Sequence, residues 1–124
     1  MKNSGTVLMY NCSAPEFSKL RQIFAMLRLR MRVVTPDKYH LTLLELSEGK
    51  GDAAEEGQAI EESMLVFCNM SSALLNQVLE VIRVAKLPPI PLKAILTETN
   101  QEWNSLQLVE ELRREREELE NQKG

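Results

Sequence analysis

Thr6–Tyr10 (TVLMY) and Met64–Cys68 (MLVFC) are the two runs whose reading decides the fold. Each is almost wholly apolar and only as long as a strand. A strand with one wet face alternates apolar and polar residues, so an unbroken apolar run of this length predicts a central strand covered on both faces. Each run leads into an Asn-x-Ser step, Asn11-Cys12-Ser13 and Asn69-Met70-Ser71. Their side-chain oxygens are suited to capping an incoming helix, and Pro15 suits a first helical turn. Phe17, Leu20, Ile23, Phe24 and Leu27 then share one helical stripe, with Lys19, Arg21 and Arg28 outside it. After the second run, Leu74, Leu75, Val78, Leu79, Val81, Ile82 and Ala85 form a broader apolar arc, which predicts deeper burial for that helix.

Two further strands are expected at about Met31–Thr35 and Leu92–Thr97. Arg32 and Lys93 mark them as edge strands, because a charge there blunts pairing with another chain. The connector Pro88-Pro89-Ile90-Pro91 restricts entry into the second. Each is followed by another helix, at Asp37–Leu46 and from near Asn100, the latter carrying Trp103, Leu106, Val109 and Leu112. The chain therefore reads β-α-β-α twice. At an offset of 58, Val7 meets Leu65, Asn11 meets Asn69 and Ser13 meets Ser71; at 62, Val34-Thr35 meets Leu96-Thr97. The expected fold is a single α/β domain with a four-stranded sheet and helices on both faces. A parallel sheet ordered 2-1-3-4 is preferred; it would put the first and last helices on one face and the middle two on the other. The alternative is a ferredoxin-like mixed sheet, in which the first and third strands are antiparallel.

A chain of 124 residues amounts to one domain, here a first half at 6–46, a connector at 47–63, a second half at 64–112 and a charged tail at 113–124. The connector holds three of the five glycines and six carboxylates against Lys50 alone, the composition of a flexible acidic linker. Its spacing lacks the ligand register of calcium loops. Hydrophobic content of 44% with 27% charged residues is ordinary for a folded domain, and a net charge of −3 gives no reason to expect nucleic acid or an anionic membrane as partner. Residues 1–46 carry seven Lys/Arg against three Asp/Glu, whereas residues 47–124 carry eight against fifteen. That asymmetry is compatible with a homodimer. No run approaches the length of a membrane span, and two cysteines in no disulfide pattern suit a reducing cytoplasm.

Familiar catalytic signatures fail one by one. The glycines stand at positions 5, 49, 51, 57 and 124, none at a strand-to-helix turn, so phosphate-cradling loops cannot be written and no cofactor is expected. His40 is the only histidine, which removes multi-histidine metal centres. Cys12 lies between a strand and a helix start, where a thiolate would be favoured. Cys68 lies in MLVFCNMSSALL (64–75), which loosely resembles cysteine-phosphocarrier subunits of bacterial sugar phosphotransferase systems but has Asn69-Met70 where they carry glycine. Cys12, Cys68 and His40 are the candidates should the chain be an enzyme. The most distinctive stretch is Ile90–Trp103 (IPLKAILTETNQEW). There Lys93, Thr97, Asn100 and Trp103 gather a cation, a hydroxyl, an amide and an aromatic ring about one strand-to-helix junction, suited to a partner or a small polar ligand. Thr99 or Asn100 could equally serve as a helix cap.

With VLMYN (7–11), MLVFCNMS (64–71), PLKAILTETNQEW (91–103) and the helix at Leu106–Glu115 in view, the chain resembles a small bacterial family, domain of unknown function 3783, from about Val7 to Glu118. A Glu-His pair common in that family's last helix is replaced here by Arg114-Glu115-Arg116. The resemblance implies a bacterial cytoplasmic protein and no particular reaction. The functional expectation is a non-enzymatic interaction or regulatory module, with a second copy, another protein or a small effector as partner. A cysteine-dependent enzyme or phosphocarrier, or a small-molecule-binding domain, are the alternatives.

Overall fold

The computed structural model describes residues 5–123. Its strands are β1 (Thr6–Tyr10), β2 (Arg30–Val33), β3 (Met64–Cys68) and β4 (Leu92–Ile95). Its α-helices are α1 (Ser18–Met26), α2 (Leu43–Glu48), α3 (Ser72–Val84) and α4 (Ser105–Lys123), with short 3-10 turns at Pro15–Phe17, Pro36–Lys38 and Asn100–Glu102. One sheet runs in the order β2-β1-β3-β4. Every residue of β1 and β3 is buried, as unbroken apolar runs require, while the mixed strands β2 and β4 form the edges.

The strand order is as expected, but the sheet is not parallel throughout. β2 runs parallel to β1 and β4 parallel to β3, whereas β1 and β3 are antiparallel. The central antiparallel pair is that of the mixed-sheet alternative, but α1 and α3 each join strands that lie side by side, where a ferredoxin-like crossover skips a strand. Two β-α-β units of the same hand, joined antiparallel, are related by a two-fold axis normal to the sheet, and such an axis keeps each face on itself. The helices therefore sort differently from the parallel expectation: α1 and α3 share one face, and α2 and α4 the other. Val7, Met9, Leu65 and Phe67 pack under α1 and α3; Leu8, Tyr10, Val66 and Cys68 pack under α2 and α4.

The axis can be located from residue pairs. Leu8 stands opposite Val66, and Thr42 bridges Asn104; these are mates at offsets of 58 and 62. Local details repeat with them. Asn11 and Asn69 both take left-handed φ, 58° and 60°. Val34 N–H donates to Met9 O at 3.0 Å and Leu96 N–H to Phe67 O at 2.9 Å; Leu41 N–H donates to Lys38 O at 3.2 Å and Trp103 N–H to Asn100 O at 2.9 Å. Thr42 and Glu45 cap the start of α2 reciprocally, and Asn104 and Gln107 exchange the same two hydrogen bonds at the start of α4.

Those capping pairs explain why both second helices begin later than their apolar patterns suggest. The segment Asp37–Leu46 is not one helix. A turn at Pro36–Lys38 is followed by a stretch that buries Tyr39 and Leu41, and only then does α2 begin. Likewise α4 begins at Ser105, so neither Thr99 nor Asn100 caps it. Ser71 does cap α3, accepting from Leu74 N–H at 3.1 Å. Asn11 caps nothing: its amide donates to Ile60 O and Glu62 O at 2.7 and 2.9 Å and pins the end of the connector. Arg113 grips Glu62 with two hydrogen bonds from α4 at the same place. The broad arc of α3 does not go deeper than that of α1. Val78 alone is buried, and Val84 is 61% exposed, because a helix lying on a sheet presses only one stripe against it.

Candidate functional site

β4 has one neighbour, β3, and a free edge. Since Leu96 N–H bonds to Phe67 O, the ladder uses alternate residues, and the backbone groups of Lys93 and Ile95 point away from the sheet. A free edge of this kind ordinarily invites another strand. Here a side chain closes much of it. Asn100 Nδ2 donates to Ile95 O at 2.9 Å, and Thr97 N–H donates to Asn100 Oδ1 at 2.8 Å. The carboxamide thus stands where the peptide group of an adjoining strand would, and Asn100 N–H is held by Thr97 Oγ1 at 3.1 Å. At the other end Pro91 has no N–H to offer.

Around this blocked edge lies a groove of ≈ 490 Å³, bounded by α3 on one side of β4 and α4 on the other. Phe67, Leu79, Ala94, Leu108 and Leu112 give it an apolar lining, with Trp103 at the turn before α4. Trp103 is half-buried, and its carbonyl accepts from Leu43 N–H at 2.8 Å, which ties the turn to α2. The charged groups sit on opposite walls. Lys93 Nζ is drawn back to Ile90 O at 3.1 Å. Glu111 and Glu115, one turn apart on α4, face the groove. A hydrogen bond from Arg114 holds Glu111 below the usual carboxylate range, while Glu115 has no ion pair among the described residues.

Lys93, Thr97, Asn100 and Trp103 all line this one groove. Asn100 spends its polar atoms on the backbone, leaving Trp103 and Lys93 as groups that can meet a ligand. Sequence reasoning missed Ala94, Leu112, Glu111 and Glu115. Leu108/Leu112 and Glu111/Glu115 at four-residue spacing on one helix were the available signal.

The cysteine and histidine candidates are not brought together. Cys12 is buried beneath α1 and α3, and Cys68 beneath α2 and α4, on opposite faces of the sheet; His40 is exposed. Burial raises the Cys12 thiol and pushes Cys68 up to about 12, the reverse of what a thiolate nucleophile needs. Cys68 Sγ points to Val66 O at 3.7 Å, into the core and away from the turn at Asn69–Ser71. Among the described residues no three His, Cys, Asp or Glu are placed to hold a metal ion, and no helix is long and apolar enough to cross a membrane.

Fold and site together define a duplicated β-α-β-α sheet domain with a plugged strand edge beside an apolar groove. Residues 63–119, which make up the second unit, match the model of the family described as a domain of unknown function (DUF3783). The match is narrower than the resemblance read from the sequence: it spans one β-α-β-α unit, the one that holds the groove, and not its partner. No curated protein and no solved structure matches the chain.

Proposed function

We propose that the chain is a non-enzymatic interaction module of the reducing cytoplasm, and that its β4-edge groove seats an amphipathic helical segment of another protein, one carrying Lys or Arg beside its apolar face. The observation that carries this reading is the combination of an apolar gap flanking β4 with a strand edge on which Ile95 O and Thr97 N–H are already taken by Asn100. A partner strand would meet the Asn100 side chain at the Ile95–Thr97 end of the edge, which favours recognition through side chains. Phe67, Leu112 and Trp103 offer apolar contact, and Glu111 with Glu115 offers the charge that selects cations. Two buried, unpaired cysteines support a reducing compartment.

Trp103 is the only tryptophan in the chain and lines the groove, so its emission reports occupancy directly. Two designed helical peptides with the same apolar face, one flanked by Lys and one by Glu, serve as probes. The Lys peptide is expected to shift Trp103 emission to shorter wavelength and saturate near micromolar concentration, about −8 kcal/mol of binding free energy. The Glu peptide should bind at least tenfold more weakly. Leu112→Lys, which places in the groove the residue found at the mate position Lys50, should weaken the Lys peptide by roughly tenfold. Equal responses to the two peptides, or no saturable response to the Lys peptide, would refute the reading.

A further inference from the structure

The two-fold axis places a second cleft at the opposite edge of the sheet, beside β2. Seven of its lining residues, Met31, Arg32, Val33, Lys38, Leu46, Gly49 and Lys50, become groove residues on adding 62 to their numbers: Lys93, Ala94, Ile95, Asn100, Leu108, Glu111 and Leu112. Position in the fold is shared, but chemistry is not. Where the β4 side has Ala94, Asn100 and Leu112, the β2 side has Arg32, Lys38 and Lys50, and the space shrinks to ≈ 290 Å³.

One exchange matters most. On the β4 side the Asn100 carboxamide oxygen receives Thr97 N–H. Its mate on the β2 side is Lys38, which cannot accept, and Thr35 N–H donates to nothing among the described residues. Val34 N–H is spent on Met9 O, so the backbone N–H groups of Met31 and Val33 point outward along the same edge. Arg32 Nε donates to Ser47 O at 3.2 Å, which fixes the guanidinium against Gly49 and leaves its Nη atoms free to donate elsewhere. Two carboxylates are near, and like Thr35 they stand beside the cleft and not in its lining. Glu48 sits 3.5 Å from Lys50 Nζ, and Asp37 accepts from Thr35 Oγ1.

We infer that this β2-edge cleft binds a small multivalent oxyanion, phosphate- or carboxylate-bearing. One of its oxygens takes the place that Asn100 Oδ1 occupies in the other half, against Thr35 N–H, with Arg32, Lys38 and Lys50 closing around the rest. Such a site joins fixed backbone donors to three cations in a concave space, the arrangement that favours doubly charged anions over chloride. It lies at the sheet edge remote from the peptide groove and does not depend on that reading.

Calorimetric titration of the full chain with pyrophosphate, inorganic phosphate and citrate, each at ionic strength matched with sodium chloride, tests the site and separates phosphate from carboxylate sources. At least one of the three should bind saturably and shift the Thr35 amide resonance downfield, without changing Trp103 emission. Lys38→Asn copies the plug of the other half, so it should fold normally while lowering affinity tenfold or more. Lys50→Leu, at an exposed position, should lower it about threefold, and Lys19→Asn on α1 should leave it within twofold. Absence of saturable binding by all three anions overturns the inference. So does an equal loss in Lys38→Asn and Lys19→Asn, which would mark general charge attraction.

Discussion

Removing the Asn100 side chain tests how the β4 edge is closed. Asn100→Ala deletes two hydrogen bonds, to Ile95 O at 2.9 Å and from Thr97 N–H at 2.8 Å, made by a residue that is 8% exposed. At about 1 kcal/mol of net stability for each bond, the expected loss is about 2 kcal/mol. The full penalty for stranded buried groups should not apply, because Thr97 is exposed and water can reach the vacated edge. With a urea slope of roughly 1.5–2 kcal/mol per molar for a domain of this size, the unfolding midpoint should fall by about 1 M, followed by far-ultraviolet circular dichroism. Asn100→Asp sharpens the test. Its carboxylate can still accept from Thr97 N–H but has no proton for Ile95 O, so it should be less stable than the parent at pH ~7 and recover toward it near pH ~3, where the acid form donates. A loss below about 0.5 kcal/mol in Asn100→Ala, or no pH contrast in Asn100→Asp, would refute the view that this carboxamide substitutes for a neighbouring strand.

Two more expectations concern buried polar groups. Cys68 holds its proton in the folded chain to about 12 because it is desolvated, whereas the unfolded thiol ionises near the ordinary 9.0. Its contribution is therefore complete below about pH 8.5 and declines by about 1.4 kcal/mol per pH unit above about pH 9 until the folded thiol ionises; chemical denaturation at pH ~8 and ~10.5 should show a shallower alkaline loss in Cys68→Ala, and parallel behaviour would exclude the cause. Tyr10 Oη and Ser105 Oγ are 2.7 Å apart and both residues are fully buried, so Tyr10→Phe should cost about 1–2 kcal/mol by stranding the serine. The Tyr10→Phe/Ser105→Ala pair should cost less than the sum of its singles in urea titrations, and strict additivity would contradict the coupling.

What could be read in advance depended on whether a feature was local. TVLMY and MLVFC announce burial on both faces because their composition leaves no polar face to turn outward, and Arg32 and Lys93 announce edges for the converse reason. The relative direction of β1 and β3 left no such trace. An apolar run has the same composition read either way, and the long connector can reach either end of the sheet. The capping boxes were legible but passed over: Thr42-x-x-Glu45 and Asn104-x-x-Gln107 lie 62 residues apart and mark both helix starts. At the groove, Lys93 and Trp103 could be singled out by residue type. The plug formed by Asn100 could not, since it depends on a turn folding back onto a strand edge five residues earlier.

The duplicated plan also bears on how such a domain could have come about. Residues 63–119, taken as a free polypeptide, would leave β3 naked along the side now covered by β1, and two identical fragments could repair each other by laying Val66 against Val66 in the manner of Leu8 against Val66. Fusing two such fragments releases the copies from identity. One border of the assembly could then turn greasy and acid-rimmed while the other gathered arginine and lysine, a division of labour closed to a symmetric pair.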